Sequence, residues 1–422
     1  MKKQKRILSI ICAVALLAIT GCGKPATNND DGSISGKVVY SSHRTDFTNT
    51  IFKDYAKEFN DKHPGLEFTI DTYQDYEQTI KIKASSNDLP DVYSAFSSQF
   101  TPEQFVQFNI PLEYDYVSDF EGLEEFTGSD GKLYGLSQGK EIGGLVAYNK
   151  KIFAELGIEI PKTLDEFIEA AKKIKASSSY VPLASIAKAQ WPLMVYEVYV
   201  PIYLEGDADV FNKYLDPENN APFTMDGPWG KSFELCDMII KSEIYENDPL
   251  SADWEPFKRD FRSGKIAMFF GSEASTVTQL TSDTLETKDI GLFPFPYNNN
   301  PEVRYAVNSY PTGIFLAKNT KNLDAAKAVF DFIANEKYED YTRQAGLLSS
   351  RKSVVLSYDH MSEFENFTNI KFLDSQKTSS EVKSVLNKGQ INFTAKIQEL
   401  FTGKTPNDII DDLNKSWETG LK

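Results

Sequence analysis

The chain has 422 residues, 41% hydrophobic and 25% charged, with a formal net charge of -16. That length exceeds what one hydrophobic core organises, so two lobes are expected, and the excess of 61 acidic over 45 basic side chains argues against nucleic acid as a partner. The acidity itself serves solubility.

The N-terminus opens with Lys2, Lys3, Lys5 and Arg6, then an apolar run over residues 7–19 and Thr20-Gly21-Cys22. The run is shorter than the roughly 20 residues a spanning helix needs, and it suits a secretory signal, so residues 1–21 are predicted to be removed. Ile19-Thr20-Gly21-Cys22 resembles the bacterial lipobox. That resemblance implies a lipid on Cys22 and a place on the extracellular face of a bacterial cell membrane; the alternative is an ordinary signal cut nearby with Cys22 a chance thiol. Cys12 leaves with the signal, so Cys236, in the apolar setting Leu235-Cys236-Asp237-Met238-Ile239, has no partner and is expected to be buried. Residues 22–36 have too little apolar content to pack and read as a flexible tether.

Strand-like and helix-like segments then alternate, the signature of a layered α/β fold. Lys37-Val38-Val39-Tyr40 predicts a first strand. Ile51, Phe52, Tyr55 and Phe59 share a helical stripe that His63-Pro64-Gly65 ends. Leu66, Phe68 and Ile70 alternate as a second strand, residues 75–85 form a helix, and Asp91-Val92-Tyr93 begins a third strand. Thr163 and Glu166 have capping-box spacing ahead of Leu164, Phe167, Ile168, Ala171 and Ile174. Thr405-Pro406 starts a last helix with Ile409, Ile410, Leu413 and Trp417 on its stripe.

Local enzymatic signatures are missing: there is no Gly-x-Ser-x-Gly elbow, His-Glu-x-x-His pair, phosphate loop or calcium loop. The three histidines, His43, His63 and His360, are far apart in sequence, so no metal site, cofactor or catalytic residue is assigned. A carboxylate pair for glycoside hydrolysis has no local signature and stays open.

Four ordered groups of segments resemble the extracellular solute-binding protein family 1, the carbohydrate-binding lipoproteins of ABC importers. They are Phe59-Asn60 through His63-Pro64-Gly65-Leu66 with Leu89-Pro90-Asp91-Val92; Asp130-Gly131-Lys132-Leu133-Tyr134-Gly135 leading to Tyr148-Asn149-Lys150 and Pro161-Lys162-Thr163-Leu164; Phe261-Arg262-Ser263-Gly264-Lys265-Ile266-Ala267-Met268 with Gly271-Ser272 and residues 290–296; and Gly313-Ile314-Phe315-Leu316-Ala317-Lys318 with Ala325-Ala326-Lys327. The resemblance implies a two-lobed, periplasmic-binding-protein-like α/β fold of the class II type whose lobes close on a ligand. Residues 37–147 with 292–338 are expected to form the N-terminal lobe, and 148–291 with 339–422 the C-terminal lobe. Crossings are expected at Tyr148-Asn149, at residues 291–296 and near residues 336–344.

Sugars present hydroxyl edges and apolar faces, so candidate contacts pair aromatic planes with carboxylates, amides and arginines. The loop after the first strand offers His43, Arg44, Asp46 and Phe47, with helix capping the alternative for Asp46. Phe96 and Ser97 follow the third strand. Glu141, next to Lys140, precedes the first crossing, where a surface salt bridge is the alternative. Trp191 resembles the family's second-lobe tryptophan and is the preferred stacking platform; Trp254 is a further candidate, with Trp229 beside it. Tyr310 is expected to face the cleft. Ser272 and Glu273 stand where many relatives carry tryptophan, so Glu273 would meet hydroxyls or an amino group on the ligand, or stay solvated. Three readings result: a monomeric sugar-binding subunit serving ABC permease subunits, a binding lipoprotein for a polyamine, iron chelate or peptide, and an exported glycan hydrolase.

Overall fold

The computed structural model describes residues 35–422 except positions 74, 357, 362, 363, 365 and 366. The expected signal, Cys22 and nearly all of the tether lie outside the described residues. The described residues form twelve strands: β1 (Gly36–Ser42), β2 (Leu66–Thr72), β3 (Val92–Phe96), β4 (Gly135–Ser137), β5 (Glu141–Gly143), β6 (Leu145–Asn149), β7 (Val181–Ala184), β8 (Ile266–Ser272), β9 (Ile290–Pro294), β10 (Arg304–Ser309), β11 (Thr312–Leu316) and β12 (Ile370–Asp374). They form a first sheet ordered β2-β1-β3-β11-β4, a second ordered β7-β8-β6-β9, and a small third ordered β12-β10-β5.

Each large sheet is packed on both faces, as strands with continuous apolar runs require. In β6, Val146 and Tyr148 point into one core while Leu145 and Ala147 point into another. In β3 and β11 the same alternation sends Val92, Ile314 and Leu316 to one side of the first sheet and Tyr93, Ala95 and Phe315 to the other. The helix Ile51–Lys62 buries Phe52, Tyr55 and Phe59 as its stripe predicts. Thr405 and Asp408 make a complete capping box behind which Ile409, Ile410, Leu413 and Trp417 are buried. At Leu164–Ala176 the box is half made: Thr163 accepts from Glu166 N at 3.2 Å, but the Glu166 carboxylate reaches back to Lys162 N at 2.6 Å. Cys236 is fully buried, as expected.

The chain passes between the large sheets three times through the third: from β4 through β5 to β6, from β9 through β10 to β11, and from the helix Tyr338–Ala345 through β12 to the C-terminal helices. The crossings differ in place from those expected. Tyr148 and Asn149 lie inside β6, where Asn149 caps the helix Lys150–Leu156, and residues 290–294 are β9, paired with β6. Tyr338, Tyr341 and Ala345 are packed in the first-sheet core. One residue fastens all three passes: Glu121 Oε2 accepts from Lys140 Nζ at 3.1 Å and from the Tyr310 hydroxyl at 3.2 Å, and its backbone N–H donates to Ser350 O at 2.8 Å. Backbone bonds in both directions join Lys140 to Leu348 beside it.

Gly144, between β5 and β6, has a φ of +78°, and a Cβ there would overlap the Tyr203 hydroxyl. That hydroxyl donates to the carbonyls of Gly143 at 3.2 Å and Gly144 at 3.0 Å. Gly144→Ala therefore strains the backbone and unseats Tyr203, and is expected to cost about 1–3 kcal/mol in chemical denaturation. An unchanged midpoint refutes this account of the seat.

Candidate functional site

β1 and β3 run parallel with Tyr40 opposite Val92 and Ser41 opposite Tyr93, so the loops that follow them leave the same end of the first sheet. In open α/β sheets, ligands bind outside the carboxyl ends of the strands. The floor there is polar: Tyr76 donates to Ser41 O at 2.8 Å and Ser94 O at 2.9 Å, and Gln138 Nε2 donates to Tyr40 Oη at 3.0 Å. Ser41 Oγ and Gln138 Oε1 are buried without a hydrogen-bond partner among the described residues. His43 sets its ring 5.2 Å from Phe96 and 6.0 Å from Tyr76. Burial, with Arg44 beside it, pushes the His43 imidazole down to about 3, so it is neutral at physiological pH.

Arg44 is committed locally. Its guanidinium makes two bonds to Asp46, Nε to Oδ1 at 2.9 Å and Nη2 to Oδ2 at 2.7 Å, and lies 3.8 Å over the Phe47 ring. Asp46 serves Arg44 and makes no side-chain cap. Phe47, a candidate contact from sequence, is instead buried against Phe52 and Tyr341, because the short helix Thr45–Phe47 turns it inward. Phe96 is half-buried at the end of β3, and Ser97 donates its N–H to Pro311 O at 2.9 Å.

Glu141 does not pair with Lys140. The two project to opposite sides of the strand, so Lys140 reaches Glu121 while Glu141 is buried, its Oε1 accepting from Ser275 N at 3.0 Å and Ile142 N at 3.2 Å. Glu273 follows the last residue of β8, Ser272, whose backbone pairs with Leu145; the Tyr199 hydroxyl donates to Glu273 Oε1 at 3.2 Å. Burial pushes the Glu141 carboxyl up to about 8 and the neighbouring Glu273 charge adds to the push; burial raises Glu273 as well, against the Tyr199 bond. The two therefore resist holding two negative charges at once.

The second lobe brings Trp191 to the same end of β8. A Cβ on Gly271, whose φ is +106°, would meet Pro192 O at 3.0 Å, so glycine lets the Trp191 loop close onto the strand. Gln190 holds a φ of +61° and bonds Gln398 at 3.2 Å, which in turn donates to Ala187 O at 2.9 Å. Trp191 is 38% exposed, a large fraction for an indole, and rests edge-on against Trp254 at 5.1 Å and Phe269 at 6.2 Å. Trp254 is half-buried and stacked on Phe257 at 5.3 Å. Trp229 is core, its indole N–H bonded to Glu197 O at 3.0 Å. Tyr310, expected to face the cleft, is buried: its ring covers Gly122 and its hydroxyl goes to Glu121. Tyr199 went unnoticed in the sequence, where the only trace is the Gly143-Gly144 pair that gives its ring room.

A model of the bacterial extracellular solute-binding protein family matches residues 45–340, and the chain belongs to that family. Similar curated proteins include the multiple sugar-binding protein of Streptococcus mutans, 23% identical over 81% of this chain and 82% of that one. Another is the melibiose/raffinose/stachyose-binding protein MelE of Bacillus subtilis, 22% identical over 87% and 86%. Among solved structures, a manno-oligosaccharide-specific solute-binding protein of Bifidobacterium animalis subsp. lactis with mannotriose superposes with a TM-score of 0.77 at 22% identity, covering 92% of this chain and 95% of that one. The fold is thus the two-lobed one of periplasmic binding proteins, and the sheets of the two lobes are the first and second sheets above.

A carboxyl held above its ordinary 4.5 keeps its proton longer folded than unfolded, so its contribution to stability is full below about 4.5 and lost as pH rises towards about 8. Glu141→Gln keeps the accepting oxygen and removes the titration. Its stability advantage over the wild type should grow through that window in urea melts at a series of pH values; parallel curves would refute the raised carboxyl.

Proposed function

We propose that this chain is the substrate-binding subunit of an ABC importer, held at the extracellular face of the membrane by a lipid on Cys22, and that it captures a sugar or oligosaccharide between its lobes for delivery to permease subunits. The carrying observation is the exposed Trp191 indole on a loop whose Pro192 carbonyl closes onto Gly271, two residues before Glu273, which accepts from the Tyr199 hydroxyl: an apolar face and hydrogen-bonding groups at one end of β8, the pairing a pyranose ring demands. The neutral His43 beside Phe96, the buried Glu141 and the polar floor at Ser41 and Gln138 would supply the remaining donors and acceptors. The sugar ligands named for the family members above support this reading, and it makes the chain a binder rather than a hydrolase, acting as a monomer. The acid pair Glu141 and Glu273 favours a polyamine as the second reading, because a cationic solute would relieve the crowding of two buried carboxyls.

Protein covering residues 23–422 should melt higher with one class of glycan and not with polyamines or peptides, by about 2.7 kcal/mol of added stability at a hundredfold excess over Kd. Trp191→Ala should then weaken that glycan by about 10-fold or more in calorimetry, the order of one stacking contact and its buried area. A shift with polyamines alone moves the assignment to the second reading, and turnover of an offered oligosaccharide overturns both.

A further inference from the structure

The loop that carries Trp191 is anchored on both sides of the indole. Pro192 closes onto Gly271, Gln190 bonds Gln398, and Lys188 forms an ion pair with Asp253 at 3.0 Å. No hydrogen bond from a described residue reaches the indole itself. What orients its ring is a pair of edge-on aromatic contacts, to Trp254 at 5.1 Å and to Phe269 at 6.2 Å, both at 77°. Trp254 and Phe269 in turn lie 6.2 Å apart, so the three rings form one cluster.

The two rings that flank Trp191 are held differently. Phe269 is fully buried inside β8 and is fixed by the sheet. Trp254 stands out from the core as the first residue of the helix Trp254–Arg262, where it shares one face with the buried Phe257 and Phe261. Its ring stacks on Phe257 at 5.3 Å, Phe257 packs against Phe269 at 4.7 Å, and Lys258 Nζ lies 5.4 Å from the Trp254 ring centre. Asp253 ties this helix to the Trp191 loop: Oδ1 accepts from Trp254 N at 2.9 Å while Oδ2 holds Lys188. The Trp254 ring, a candidate ligand contact from sequence, is thus engaged within the protein.

We propose that Trp254 is a positioning residue, which fixes the plane of the Trp191 indole before a ligand arrives and does not itself touch the ligand. The proposal rests on the reading of Trp191 as the surface on which a sugar stacks. An exposed indole free to turn has to be ordered by whatever stacks on it, and that entropy is subtracted from the affinity. Edge-on pairing with Trp254 moves the ordering to the folding of the lobe, so the free protein already presents the ring in one orientation.

Calorimetry with the glycan that stabilises the wild type reads the effect. Trp254→Leu keeps apolar volume over Phe257 but offers Trp191 no aromatic partner, and should weaken that glycan by about 3- to 10-fold, the order of one side chain left for the ligand to immobilise. Trp254→Phe should restore most of the loss. In a Trp191→Ala background the same Trp254→Leu change should cost less than about 2-fold, because the ring it orients is gone. An equal loss in both backgrounds makes Trp254 a ligand contact or a general support and overturns the proposal, as does unchanged affinity in Trp254→Leu. Failure of the wild type to bind any sugar counts against the ligand reading instead, and positioning is then read without ligand. Trp254→Leu and Trp254→Phe both retain Trp191 with Trp229 and Trp417, which are fully buried, so time-resolved fluorescence anisotropy reports the motion of Trp191. A larger nanosecond component in Trp254→Leu than in Trp254→Phe supports the proposal, and equal components overturn it.

Discussion

Glu121 is the residue at which the three passes of the two-lobed arrangement meet. A chain that passes three times between two sheets has to gather those passes, or each would bend independently and the lobes would slide as well as close. Here Lys140, Tyr310 and Ser350, one from each pass, meet one residue of the first lobe. The individual bonds are modest, since the Lys140–Glu121 pair is partly exposed. Their effect comes from meeting at one residue, which accepts two of the bonds on its carboxylate and donates the third from its backbone N–H, so the three passes are gathered beside the short third sheet.

This fastening decides which charges are free to act. Lys140 is held by Glu121 and Arg44 by Asp46, so Arg44 acts on Glu141 through its field and not through a direct bond. Glu141 and Glu273 stay close and desolvated, the first accepting from the N–H groups of Ser275 and Ile142 and the second from the Tyr199 hydroxyl. The first lobe thus offers a neutral imidazole and a hydroxyl-rich floor, the second an indole and Glu273, and the connecting third sheet the neighbouring Glu141. A neutral polyol has use for both kinds of surface, since its hydroxyls donate to carboxyls and accept from hydroxyl groups while its C–H faces cover aromatic rings.

Much of the architecture is legible in the sequence because it is written in local periodicity. The stripe of Phe52, Tyr55 and Phe59, the alternation in β2 and the capping residue Thr405 each act within a few residues of themselves. Pairings across long separations are not written that way. Tyr148-Asn149 carries a strand end and a helix cap, and nothing near it says that β6 joins β8 and β9 rather than leaving the lobe. Tyr310, between a serine and Pro311, reads as a cleft-facing residue until the backbone of Gly122 is placed beneath it. Trp191 and Glu273 are candidates by residue type and family position, whereas Tyr199, 74 residues before Glu273, joins them only when β8 and the segment Val195–Tyr199 are brought together.

Cys236 is the one cysteine among the described residues. Fully buried in the helix Pro228–Lys241, with burial pushing its thiol far above the ordinary range, it is closed to alkylating reagents while the protein is folded. A single cysteine placed at the rim of either lobe would therefore take a fluorophore without competition from within the body. The molecule is in that sense ready to carry an optical reporter at a position of choice.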